Sequence, residues 1–216
     1  MSRSWLPVPE QDWHLNWRKH FIPIQVTKNI TIVPEWDTRS RAPILIRLRP
    51  GMVFGTGHHA TTRLVLTMLD HLGCGRQRVL DMGTGSGVLA IAAALLGAQR
   101  VTAVELDPDC KENFLTNLAL NALTGRVDFV QGDAGGWEDF NFDLVLANIN
   151  RAVIFPLPTR YARSDSPGKA VVSGLSADDK SVLLSHCCQL DLALAEVEVG
   201  GEWLCAVLMR ARRRTP

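Results

Sequence analysis

The spacing of apolar residues changes character along the chain. Up to residue 50 it is irregular. Trp13, Trp17 and Phe21 recur every fourth position, which would set them on one face of a short helix. In FIPIQVTKNITIVP, two β-branched runs flank Lys28-Asn29 and predict a hairpin. Ala42 to Leu48 (APILIRL) predicts another strand, ended by Arg49-Pro50-Gly51. From residue 60 the pattern becomes a regular alternation. Helices are predicted over 61–72, 87–96 and 108–121, with Pro108 in a favourable first turn. A proline-interrupted helix is predicted over 151–163 and another over 177–189. Strands are predicted over 78–81, 101–106, 127–130, 142–147 and 170–173. Two final strands, 192–199 and 203–209, flank Gly200-Gly201.

Short apolar strands alternating with helices of 10–15 residues describe βαβ units. The fold class predicted is α/β: a doubly wound, mostly parallel, seven-stranded sheet that closes on an antiparallel hairpin. Residues 1–50 read as a tryptophan-rich arm or linker with a β-hairpin, and residues 51–216 as the main domain. The arm holds Trp5, Trp13, Trp17 and Trp36, four of the six tryptophans.

Composition removes several classes of function. Of 216 residues, 46% are hydrophobic and 21% charged, and the net charge is +1, so no global electrostatic grip on nucleic acid is expected. The longest apolar runs, Val88 to Gly97 and Leu204 to Met209, fall well short of the roughly 20 residues that span a bilayer. The first residues, MSRSWLPVPEQDW, contain no apolar signal core, so no membrane partner is expected. Five cysteines without a C-x-x-C predict neither a disulfide framework nor a zinc site. Cys187 and Cys188 read as small buried apolar groups on a helix, and the location as reducing and cytoplasmic. Arg210, Arg212, Arg213 and Arg214 read as a solvated end, with an anionic-partner patch as the alternative.

Three segments carry candidate chemistry. The first is Asp81-Met82-Gly83-Thr84-Gly85-Ser86-Gly87, between an apolar strand and an apolar helix. Alternating glycines allow a tight turn and close approach of a ligand to the backbone, and a helix N-terminus suits a carboxylate or phosphate. Glu105 closes the next strand, 22 residues beyond Gly83, where an acidic side chain reaches ribose hydroxyls. Gly85 to Ala90 also fits the dinucleotide pattern G-x-G-x-x-A. Against an NAD-dependent dehydrogenase stand the extra Gly83, the preceding Asp81, the lack of a second catalytic domain and the closing hairpin. The second segment is Phe54-Gly55-Thr56-Gly57-His58-His59-Ala60-Thr61-Thr62, a loop that would lie over a cofactor, with Thr61 or Thr62 as N-cap. Adjacent His58 and His59 diverge, which disfavours a metal. The third is Ala147-Asn148-Ile149-Asn150, at the carboxyl end of a strand, where open α/β sheets bind ligands. Asn150 reads as a helix cap.

The glycine loop resembles motif I of class I S-adenosylmethionine-dependent methyltransferases. That resemblance implies Asp81 near the methionine ammonium, Glu105 on the ribose and Gly132-Asp133-Ala134 on the adenine. FGTGHHATT, VLDMGTGSG and ANI together resemble the methyltransferases that modify ribosomal protein eleven of the large subunit. Trp13, Trp17 and Phe21 resemble that family's linker, and Ser173-Gly174 and Glu202-Trp203 its closing strands, so the resemblance covers roughly residues 12–210. Its members usually carry a separate N-terminal recognition domain, for which the residues before Trp13 are too few. The resemblance implies S-adenosylmethionine as cofactor, no metal, and a cofactor site of Phe54, Thr56, Thr62, Asp81, Gly83, Gly85, Gly87, Glu105, Asp133 and Asn148. Asn148 is the expected catalytic residue. The expected acceptor is an amino nitrogen of a ribosomal protein, with a peptide or small-molecule amine, or a non-catalytic cofactor-binding module, as alternatives.

Overall fold

A computed structural model describes residues 21–51, 54–164 and 168–211. Seven strands form one sheet: β4 (Arg78–Met82), β5 (Arg100–Glu105), β6 (Val127–Gln131), β7 (Leu144–Asn148), β8 (Lys169–Ser176), β9 (Leu192–Gly200) and β10 (Trp203–Arg210). Their order is β6-β5-β4-β7-β8-β10-β9. The first five run parallel, and β10 pairs antiparallel with both β8 and β9. The order reverses at β4, so the carboxyl ends of β4 and β7 flank the crevice where doubly wound sheets bind ligands.

Both faces of the sheet are buried, because successive strand residues point to opposite sides. Val79, Leu144, Leu146, Val171 and Val207 join one core. Leu80, Val145, Ala147, Val172 and Ala206 join the other. The first core is covered by α1 (Ala60–Leu72), α2 (Val88–Leu95) and α3 (Cys110–Leu120). The second is covered by α4 (Arg151–Ile154), α5 (Leu157–Arg163) and α6 (Lys180–Gln189). Residues Val88 to Ala94 of α2 are all buried, which an evenly apolar helix requires.

The predicted elements form, with differences at their ends. His59, not Thr61 or Thr62, caps α1: its ring nitrogen accepts the Thr61 N–H, and both threonines turn inward and are buried. Helix α3 starts at Cys110, leaving Pro108 in the preceding turn. The proline-interrupted helix divides into α4 and α5 at Phe155-Pro156, and Asn150 caps α4 through the Val153 N–H. Cys187 is buried but Cys188 is exposed, since adjacent helical residues point about 100° apart. No helix among the described residues is long and apolar enough to cross a membrane.

The N-terminal segment builds a second sheet. Strand β1 (Ile24–Gln25) forms the predicted hairpin with β2 (Ile30–Pro34), and β3 (Ile44–Leu48) runs parallel to β2. This sheet shares the first core, through Ile30, Ile32, Ile46 and Leu48. Of the aromatic stripe, Trp13 and Trp17 lie outside the described residues, as do Arg212 to Arg214 of the tail. Beyond β3, where another strand would sit, lies α3. Three asparagines spaced four apart substitute for the missing strand. Asn121 accepts the Arg47 N–H at 2.9 Å and donates to the Arg47 carbonyl at 2.7 Å. Asn117 accepts the Arg49 N–H at 2.8 Å, and Asn113 donates to the Arg49 carbonyl at 3.2 Å. Replacing Asn121 by Ala orphans two strand groups, and stability is expected to fall by about 1–3 kcal/mol. Urea unfolding at constant m-value measures the loss.

Candidate active site

The glycine loop leaves β4 at Met82 and turns back at once. Gly83, Gly85 and Gly87 have φ of 69°, 53° and 83°, which side-chain-bearing residues rarely adopt. Space tightens the requirement. A Cβ on Gly87 would stand 2.7 Å from the Phe114 ring, and one on Gly83 would stand 2.9 Å from Ile149. The Gly83 and Thr84 N–H groups donate to the Val104 carbonyl, tying the loop to β5.

Asp81 lies beneath the loop and is fully buried. Its Oδ2 accepts from the Thr84 hydroxyl at 2.6 Å and from the Ala90 N–H at 3.1 Å. The anion at the N-terminus of α2 is thus the chain's own carboxylate. Those hydrogen bonds favour its charged form, but desolvation outweighs them and pushes its pKa up to about 7. Its Oδ1 is sealed from solvent and has no hydrogen-bond partner.

Glu105 ends β5 with its carboxylate fixed by three backbone donors: Gly85 at 2.8 Å on Oε2, and Leu106 and Asp107 at 2.9 and 3.1 Å on Oε1. A carboxylate offers about four acceptor positions, so one is left for a ligand hydroxyl. Asp133 follows β6 and caps the short 3₁₀ turn Ala134–Gly136, its Oδ1 accepting the Gly135 N–H at 2.7 Å.

The Phe54–Thr62 segment locks onto this loop through Ser86. Its N–H donates to the Phe54 carbonyl at 3.0 Å and its hydroxyl to the Gly55 carbonyl at 2.9 Å. Its own carbonyl accepts from buried Asn117 at 2.8 Å. Thr62, in the first turn of α1, accepts a hydrogen bond from the Asn148 Nδ2 at 3.3 Å across 86 residues of sequence. The histidines part as expected. His58 pairs with the exposed Thr56 hydroxyl at 3.2 Å, while His59 pairs with Thr61 and packs edge-on against Trp203 with ring centres 4.7 Å apart. Phe54 is 58% exposed and tilts against the His59 ring.

The sequence-predicted residues therefore fall into a sub-cluster and its flanks. Thr62 meets Asn148, and Glu105 meets the glycine loop. Asp81 holds the loop from below. Phe54 is held to the loop through Ser86, Thr56 faces a cavity of the small sheet beside Ile24, Ile32 and His58, and Asp133 stands at the far side past β5. Sequence reasoning missed Ser86 as the junction and Asn117 behind it. The four-residue spacing of Asn113, Asn117 and Asn121 was the available signal for the second.

A family model described as ribosomal protein L11 methyltransferase matches residues 2–211. This chain belongs to the ribosomal protein L11 methyltransferase family. It is 41% identical over 95% of its length to the ribosomal protein L11 methyltransferase of Pelobacter propionicus, and 39% identical over 91% to that of Geobacter metallireducens. It spans 69% and 65% of those two relatives, about two thirds of their length. Among solved structures, ribosomal protein L11 methylase from Lactobacillus delbrueckii subsp. bulgaricus superposes with a TM-score of 0.80 at 27% identity, over 88% of this chain and 99% of that one. SMU.776, a putative methyltransferase complexed with SAH, superposes with a TM-score of 0.60 at 13% identity, over 71% of this chain and 50% of that one, a likeness of fold alone. The match to this family includes the seven-stranded sheet and the antiparallel hairpin that closes it.

The raised pKa of Asp81 has a definite sign in stability. The folded chain keeps a proton that the unfolded chain loses near the ordinary value of 3.8. The folded state therefore loses stability as pH rises from about 4 through about 7. Asp81→Asn removes this group's contribution. Unfolding midpoints measured from pH 4 to 8 are expected to fall more steeply with pH in the unmodified chain than in the variant.

Proposed function

We propose that this chain transfers a methyl group from S-adenosylmethionine to an amino nitrogen of a protein, a ribosomal protein of the large subunit. One juxtaposition carries the reading: Asn148, held by Thr62, stands at the carboxyl end of β7 beside a glycine loop braced by Glu105. The residues fit the cofactor. The loop is a backbone cradle with no room for side chains at Gly83 and Gly87, Glu105 keeps a free acceptor position, and Asp81 Oδ1 lacks a donor that a methionine ammonium supplies. The printed names of the relatives support the substrate, and the family's fold supports the reaction class.

When bound, S-adenosylmethionine supplies an electrophilic methyl carbon on a sulfonium. The chain's task is positional. An acceptor lysine has an ordinary pKa of about 10.4, so its nitrogen must shed a proton before it is nucleophilic. Desolvation at the crevice favours the neutral amine. Asn148 Nδ2 is engaged by Thr62, which turns Oδ1 the other way, free to accept an N–H of the amine and aim its lone pair along the carbon–sulfur axis. The bound cofactor would supply the methyl carbon and its sulfur would keep the electron pair of the carbon–sulfur bond, so no residue of the chain would need to form a covalent bond. The proton left on nitrogen goes to water, since the nearby His59 ring is engaged by Thr61 and Trp203. Holding the reactants in line supplies several kcal/mol of the barrier reduction.

Mass spectrometry of the ribosomal protein after incubation with methyl-labelled S-adenosylmethionine tests the proposal, and no mass gain on amino groups would refute it. Two variants separate binding from transfer. Glu105→Ala is expected to weaken S-adenosylhomocysteine binding by about 1.5–3 kcal/mol, the worth of hydrogen bonds to a charged group, as read by calorimetry. Thr62→Val leaves that affinity nearly unchanged and lowers kcat by about tenfold, because Asn148 loses the hydrogen bond that orients it.

A further inference from the structure

Arg160 takes no part in the site as described so far. It projects from α5, whose residues Leu157, Pro158 and Tyr161 are buried in the second core. Its Nη1 donates to two carbonyls, Ala134 and Trp137, each at 3.0 Å. Those carbonyls bracket the 3₁₀ turn that Asp133 caps. The guanidinium carbon stands 5.9 Å from the centre of the Phe140 ring. Nε and Nη2, the edge that usually grips a carboxylate, are sealed from solvent and make no hydrogen bond.

Such a cation is a poor choice for stability. Burial disfavours its charge and outweighs the nearby Glu138 and Asp133. Three N–H donors, one on Nε and two on Nη2, are desolvated without recompense. What only a long cation supplies here is one donor group reaching both carbonyls at once. That clamp ties the Asp133 turn to α5, which is separated from the Asn148–Asn150 segment by the short helix α4. The Asp133 carboxylate is in turn fixed to its own turn through the Gly135 N–H, so its direction follows the turn.

We propose that Arg160 is a positioning residue for the adenine end of the cofactor site, holding the Asp133 turn in the register that reads the base. The inference rests on the S-adenosylmethionine reading and on Asp133 as the adenine contact. It predicts that base recognition depends on this side chain beyond any effect on fold stability.

Three chains serve the test: unmodified, Arg160→Met and Arg160→Lys. Each is titrated by calorimetry with S-adenosylhomocysteine and with S-inosylhomocysteine, in which an oxo group replaces the adenine amino group. Thermal unfolding of each is recorded alongside. In Arg160→Met the unfolding midpoint is expected to fall, because the Ala134 and Trp137 carbonyls lose this donor, with the chain still folded at the titration temperature. Affinity for S-adenosylhomocysteine falls about tenfold, the loss of a charge-assisted contact, and the preference over S-inosylhomocysteine shrinks toward none. Arg160→Lys recovers most of both, because an ammonium also reaches two acceptors. An Arg160→Met chain, or an Arg160→Lys chain should the first be unfolded, whose lowered midpoint comes with an unchanged preference between the two ligands overturns the proposal in favour of a structural role. Unchanged affinity and preference overturn it equally. An unmodified chain that fails to bind S-adenosylhomocysteine overturns the cofactor reading beneath it, which the calorimetry distinguishes at the first titration.

Discussion

Ser86 is the hinge of the arrangement, because three backbone segments meet at one small residue. Its amide and hydroxyl hold the Phe54 and Gly55 carbonyls, and its carbonyl is held by Asn117. A glycine loop with three left-handed residues has little stiffness of its own, since glycine gives up more conformational freedom on ordering than any other residue. Its shape must be imposed from outside. Val104 does this from β5, Asp81 from below, Glu105 from the side and Ser86 from above. A hydroxyl at position 86 is needed because only a short donor fits: a Cβ on Gly55 would already stand 2.9 Å from it. Asn117 then carries the constraint outward to Arg49, at the end of the small sheet. The N-terminal segment is therefore part of the site's frame, not a tether beside it.

Asp81 shows that order here has a cost. A carboxylate at a helix N-terminus with two donors on one oxygen should be stabilised. Complete burial reverses the balance, and the group favours its proton up to about pH 7. Glu105 shares in this, because its negative charge adds to the pressure on Asp81.

The sequence was most legible where chemistry is local. Alternation of short strands and helices, the Gly200-Gly201 hairpin and the interrupted helix at Pro156 depend on period and on backbone restriction within a few residues. Asp81, Gly83, Gly85, Gly87 and Glu105 were legible because a turn and a strand end fix them. What escaped depends on contacts distant in sequence. His59 caps α1 because Trp203, 144 positions later, packs on its ring and frees both threonines to turn inward. Asn117 and Asn121 look like ordinary surface residues of a helix until β3 lies beside them without a strand neighbour. Asp81 is legible as a carboxylate at the start of the loop, but its complete burial is a property of the assembled sheet. Cys188 was misplaced because adjacency in sequence says nothing of which helical face meets the core.

The buried polar side chains share one address. Among the described residues they are Thr61, Thr62, Asp81, Thr84, Ser86, Asn117 and Ser173. Desolvating such groups costs free energy unless each finds a partner, so a sheet of this size needs a reason to keep them. Every one lies at or behind the carboxyl rim: two in the first turn of α1, three in or under the glycine loop, and one behind Ser86. Ser173 stands opposite Asn148 in the β7–β8 register, its hydroxyl on the Leu204 carbonyl. The deeper strand positions are apolar on both faces. Polar burial is thus spent where a small, directional site has to be held rigid, and the rest of the core is left to packing alone. That distribution, more than any single residue, marks the rim as the place the fold was built to hold still.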